Sequence, residues 1–170
     1  MAYRKSLTFR RTDEIVAEAA GSRPLSVSTD RIGVVALRCA LILDRYAPDG
    51  LDRDGSGAVA EVYPAAALRH FGLTARGYKR AKNAGTLRQL VEALRAAAPW
   101  LGIADWSAAE RGDDTFDALI CALVARAVAK GLTAGPASRE DADLARVEGW
   151  IHVPTAGLDA LPGGRGQVAV

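Results

Sequence analysis

With 170 residues, 49% of them hydrophobic and 25% charged, the chain is long enough to bury one domain's core and too apolar for wholesale disorder. A net charge of +2 is too mild to argue for nucleic-acid binding by itself, and two cysteines without metal-type spacing argue against a structural zinc. No apolar run approaches the roughly 20 residues of a membrane span and no signal-peptide pattern opens the chain, so the expected setting is the reducing cytoplasm, with no membrane partner.

Met1 to Arg11 is basic and irregular. Thr12 is placed to cap a short helix carrying Ile15, Val16, Ala19 and Ala20, with Gly21 as its end. After a polar connector, a second helix is expected from about Asp30 to Tyr46. Ile32, Val35, Ala36, Cys39 and Leu43 make it apolar nearly all round, so it is expected to be buried. A turn-rich loop, Pro48 to Gly57, leads into a strand over Ala58 to Tyr63 with period-two alternation. Val59, Glu61 and Tyr63 share one face; Ala60 and Val62 share the other.

Pro64 suits the first turn of a helix running to about Phe71. A basic loop follows, Gly72 to Ala84, then a helix over Thr86 to Ala97 with Leu87, Leu90, Val91 and Leu94 on one stripe. Trp100 to Arg111 reads as a packed loop with a short helix. A long helix from Asp114 to Lys130 presents Phe116, Leu119, Ile120, Leu123, Val124 and Ala127 to a core, with Gly131 beyond its end. Glu148 to Pro154 is a second short strand, and residues 155–170 are expected to form a mobile tail. Two short strands make a poor sheet alone, so either a partner chain supplies more or part of a larger domain is absent.

Three carboxylates carry the chemistry. Glu61 stands on a strand, where glutamate is depleted; buried, it needs a cation, a metal or hydrogen bonds, whereas on an edge strand it simply meets solvent. Asp114 and Asp117 lie three apart and share a helical face. Helix capping and the positive helix end account for Asp113 and Asp114, but less readily for Asp117. A strand acid with two acids one helical turn apart is the donor set of a divalent-metal site. Asp52, Asp54, Ser56 and Glu61 also fall at calcium-loop spacing, but Gly50 occupies the first ligand position and Pro64 follows the last, so a solvated turn is preferred.

Arg76-Gly77-Tyr78-Lys79-Arg80-Ala81-Lys82 is the best basic patch, with cations for phosphates and Tyr78 for base stacking; a solvated loop is the ordinary alternative. Arg10-Arg11, with Arg4 and Lys5 nearby, forms a second basic cluster. His70 and His152 are isolated, and neither fits a nucleophilic triad.

Several ordered motifs resemble a known family: Phe9-Arg10-Arg11-Thr12-Asp13, Pro24 to Gly33, Glu61-Val62-Tyr63-Pro64-Ala65-Ala66, Gly77-Tyr78-Lys79, Phe116-Asp117-Ala118-Leu119 and Glu148 to Pro154. The chain resembles the bacterial family called domain of unknown function 429, regarded as predicted nucleases of the RNase H-like fold. The resemblance implies a helix-rich α/β fold over residues 8–154, truncated in the amino-terminal part of its sheet, where the family's first strands and leading metal-binding Asp would stand.

It further implies a magnesium-dependent phosphodiester hydrolase acting on nucleic acid, impaired in this truncated form. Glu61, Asp114 and Asp117 would be catalytic and would hold the metal, and Glu148 would be a possible additional acid. Arg11, Tyr78 and Lys79 would meet the substrate. The alternative is a non-catalytic nucleic-acid-binding module or a homo-oligomer that covers exposed sheet edges.

Overall fold

A computed structural model of the chain describes residues 9–21, 24, 33–46, 51–52 and 54–163. Most of the Pro24 to Gly33 motif, Arg4, Lys5 and the start of the expected second helix lie outside them. The described residues form a helix-rich α/β structure with a small three-stranded sheet.

Helix α1 spans Arg11–Ala20 and ends at Gly21, whose φ of +59° lies in the left-handed region that a helix-terminating glycine takes up without steric cost. Thr12 is not its cap. It sits inside the helix, 1% exposed, and its hydroxyl accepts the backbone N–H of Ile151 at 2.9 Å. The orphan donor before the helix, Arg10 N–H, is taken by the Asp13 carboxylate at 2.9 Å.

Helix α2 covers Val34–Tyr46 and corrects an expectation: none of its residues is buried. Leu37, Leu41 and Tyr46 are 66%, 71% and 81% exposed, and Cys39, expected in a core, is exposed too. Apolar composition marks a face that favours cover, but does not itself supply the cover.

Strand β1 is only Glu61–Val62, because Pro64 opens helix α3 (Pro64–His70) directly after Tyr63. A 3-10 turn at Ala81–Asn83 leads into α4 (Ala84–Ala97), which buries the expected Leu87, Leu90, Val91 and Leu94. The short α5 (Ser107–Glu110) precedes α6 (Asp113–Ala129), where Phe116, Ile120, Leu123, Val124 and Ala127 repeat at helical spacing and are buried.

Strand β2 (Thr133–Ala134), helix α7 (Arg139–Glu148) and strand β3 (Ile151–Pro154) complete the order. The middle strand is β3, parallel to β1 and antiparallel to β2; Glu61 pairs with Ile151 and Val62 with His152. α6 packs against all three strands.

Side chains on β1 and β3 alternate between two clusters. Val62 packs into the main core built from α3, α4, α5 and α6, whereas Ile151 joins Val16 of α1 and Ala66 of α3, with Tyr63 and Val153 against them. The expected tail boundary at residue 154 is also moved. Leu158 and Leu161 are 5% and 0% exposed within the main core, and Arg126 Nε donates to the Leu161 carbonyl at 2.6 Å.

Candidate functional site

The strand acid meets a cation belonging to the chain itself. Glu61 shares its pleat position with Ile151, so it projects toward α1. There Arg10 closes a two-pronged bridge, with Nη1 to Oε2 at 2.8 Å and Nη2 to Oε1 at 2.7 Å. The remaining donors of Arg10 are also used. Nη2 and Nε reach the two Asp13 oxygens at 3.1 and 3.3 Å, and Nη1 reaches the Glu148 carbonyl at 3.1 Å. The five N–H donors of the guanidinium thus make five bonds. The Glu61 hydrogen bond, outweighing burial and joined by Asp13, pushes Arg10 still further above its ordinary range.

The neighbouring Arg11 repeats the pattern. Its backbone N–H donates to Glu148 Oε2 at 2.9 Å and its Nε to Asp141 at 2.8 Å, a bond that holds Asp141 below the usual carboxylate range. Arg11 and Glu148 therefore bind α1 to α7. Arg11, expected at the substrate, is engaged with this chain's own acids.

The helix acids form a second cluster. Asp117 accepts the Tyr78 hydroxyl at 2.7 Å and Lys79 Nζ at 2.6 Å. Tyr78 is 1% exposed and meets Phe116 edge-on, with ring centroids 5.8 Å apart. It anchors the basic loop and is not available to stack on a base, contrary to the expectation. Burial, followed by the Asp117 hydrogen bond, raises its phenol well above the ordinary value. For Lys79, burial works downward, but the hydrogen bond and charge of Asp117 prevail and the ammonium is held above its usual value. Asp114, in the first turn, is exposed, and Asp113 accepts the Arg80 backbone N–H at 3.3 Å.

The expected convergence of Glu61, Asp114 and Asp117 is not what the geometry brings about. Among the described residues no three His, Cys, Asp or Glu side chains group as a metal-holding set. Glu61 faces α1, while Val62, its neighbour across the pleat, faces the core of α6. The magnesium implied by the resemblance does not fit the side chains as they stand, because Glu61 is forked by Arg10 and Asp117 is shared by Tyr78 and Lys79. The calcium-loop spacing has the same outcome: Asp54 accepts Ser56 N–H and Oγ–H at 3.0 and 2.7 Å, closing a turn on itself.

A family model described as a protein of unknown function (DUF429) matches residues 3–141. The chain belongs to the DUF429 family. No curated protein and no solved structure gives a significant match. In this DUF429 protein the Glu148 to Pro154 motif lies beyond the matched segment, yet β3 is the middle strand of the sheet, paired with both β1 and β2.

Several structural partners were not singled out from the sequence. Asp141 lay in a polar stretch with no apolar period to mark it, and Asp13, though within the first expected helix and the Phe9 to Asp13 motif, carried no sign of its partner. The need of Glu61 for a cation was readable, but its supplier, Arg10, lies 51 positions away. His152 is 7% exposed; its Nε2–H donates to the Asp54 carbonyl at 3.2 Å and its Nδ1 lies 3.0 Å from the Thr133 hydroxyl, while burial pulls its pKa below the usual histidine value. Gly55 lies against that ring with φ at +83°, so any side chain there would collide with the imidazole.

Proposed function

We propose that this DUF429 protein is a nuclease of the RNase H-like class, acting on nucleic-acid phosphodiesters, with its acids stored in ion pairs. The reading rests first on the motif order. The observation that supports it in three dimensions is that the two acids picked out by the motifs, Glu61 and Asp117, are each held by charge-assisted bonds of 2.6 to 2.8 Å on elements that pack together, β1 and α6. The class implies magnesium, which would need three acids brought together. In the arrangement described, Glu61 and Asp117 are both engaged by cations of the chain itself.

The deciding measurement is metal-dependent cleavage of branched and single-stranded DNA and RNA. The expected outcome is weak cleavage that needs a divalent cation and falls at least tenfold in Glu61→Gln and in Asp117→Asn. Robust cleavage indifferent to both substitutions would remove these acids from the mechanism.

A second reading is a nucleic-acid-binding module without catalysis. It is favoured by the exposed Arg76, Arg80 and Lys82 on a loop pinned from beneath by Tyr78. Binding that weakens steeply with salt and needs no magnesium distinguishes it. Neither reading involves a membrane span, since no described helix is long and apolar enough to cross one. Two free thiols outside metal spacing support a reducing, cytoplasmic setting.

A further inference from the structure

His152 belongs to the Glu148 to Pro154 motif but has no part in either functional reading. Its ring is 7% exposed on the middle strand, and the turn 54–57, which leads toward β1, lies over it. A carbonyl only accepts, so the 3.2 Å contact with Asp54 requires the proton on Nε2. In the neutral ring Nδ1 is then bare and takes the Thr133 hydroxyl proton at 3.0 Å. Gly55 seats the turn. Its φ is +83°, and a Cβ there would fall 1.8 Å from Nε2, so only glycine lets the backbone lie on the ring. Asp54 spends its carboxylate on Ser56 inside the turn, which leaves its carbonyl as the tie to the sheet.

A further proton would go to Nδ1. The Thr133 hydroxyl would then have to turn from donor to acceptor, and a cation would be enclosed under the turn. The charges that favour such a cation are the carboxylates of Asp54 and Glu61, and burial outweighs them. Helices α3 and α6, which pack on β3, bury only apolar side chains, and Asp13 of α1 is held by Arg10. Lifting the turn returns the ring to water, so proton uptake and turn closure oppose each other.

We propose that the 54–57 turn is a proton-operated flap, closed over neutral His152 and lifted when the imidazole becomes a cation. The flap does not depend on the nuclease reading.

The test is NMR on the full chain from pH 8 to 5. Ring nitrogen shifts give the tautomer and protonation of His152, and the heteronuclear NOE of the Gly55 to Gly57 amides gives the order of the turn. At pH 8 the wild type is expected to show the Nε2–H tautomer and a turn as ordered as helix α6. The ring is expected to gain its proton below 6.5, with the order of the turn lost at the same midpoint while α6 stays ordered. In His152→Gln, which does not titrate in this range, the turn should keep one degree of order from pH 8 to 5. Gly55→Ala forces the turn off the ring, so it should be mobile already at pH 8, with the ring titrating back near 6.5.

A ring that titrates while the turn keeps its order would overturn the flap, as would an Nδ1–H tautomer at pH 8 or loosening of α6 together with the turn. Loss of order on acidification in His152→Gln, or a Gly55→Ala ring that titrates where the wild type does, counts against it equally. Should His152→Gln not fold, the comparison of the wild type with Gly55→Ala decides.

Discussion

At the scale of single residues, two of the three acids singled out in the sequence are engaged by partners within the chain. Glu61 is a strand carboxylate whose demand for a cation is met by Arg10, and Asp117 is a helix carboxylate met by Tyr78 and Lys79. His152 is the group whose environment yields a pH signature near neutrality. Its folded pKa is depressed by burial, so the unfolded chain binds a proton more readily than the native one. Stability is then fully present above the ordinary value of 6.5 and is lost as pH falls from there toward the depressed folded value. The melting midpoint of the wild type is expected to decline through that window, and His152→Gln to flatten the decline, as read by thermal unfolding from pH 8 to 5. The depressed Asp141 acts in a separate window: its contribution is present above 3.8 and lost as pH falls below it.

At the scale of elements, one hydroxyl joins α1 to the sheet. Thr12 accepts the N–H of Ile151 at 2.9 Å in a buried setting. Thr12→Val keeps the shape and removes the acceptor, leaving a buried donor unpaired. A loss of about 1–3 kcal/mol is expected from denaturant unfolding. A loss under 0.5 kcal/mol would mean that α1 is held by packing alone.

The same scale explains what the sequence did and did not reveal. Helices α4 and α6 were legible because Leu87, Leu90, Val91 and Leu94, and Phe116, Ile120 and Leu123, repeat at helical spacing. Helix α7 was not, because Arg139–Glu148 buries only Asp141 and Ala145 and has no apolar stripe to recognise. Its one local signal is the cap, where Ser138 Oγ accepts Asp141 N–H at 3.0 Å. Strand β2 escaped because two residues cannot display an alternation.

At the scale of the whole molecule, the main core depends on residues far apart in the chain. Leu158 and Leu161 close it beside α6, after β3 has already ended. Truncation after Pro154 is therefore expected to lower the melting midpoint by roughly 5–15 °C, since two buried leucines cost about 2–5 kcal/mol each when cut back. Deleting residues 164–170 supplies the control, and an equal midpoint for both truncations would refute the packing role of Leu158 and Leu161. The exposed apolar face of α2 belongs to this scale as well, being a feature of composition that the described tertiary structure leaves uncovered.

By itself the sequence determined the local elements with strong periodicity, the family, the alternation that separates Glu61 from Val62, and the helical face shared by Asp114 and Asp117. These follow from spacing along one chain segment. Only the tertiary structure decided where those faces point. Glu61 turns to α1 and Arg10, and Asp117 to Tyr78 and Lys79. The physical reason is that a charge is neutralised by whichever opposite charge the fold brings within about 3 Å. That partner can lie anywhere in the chain, so spacing along the sequence does not name it.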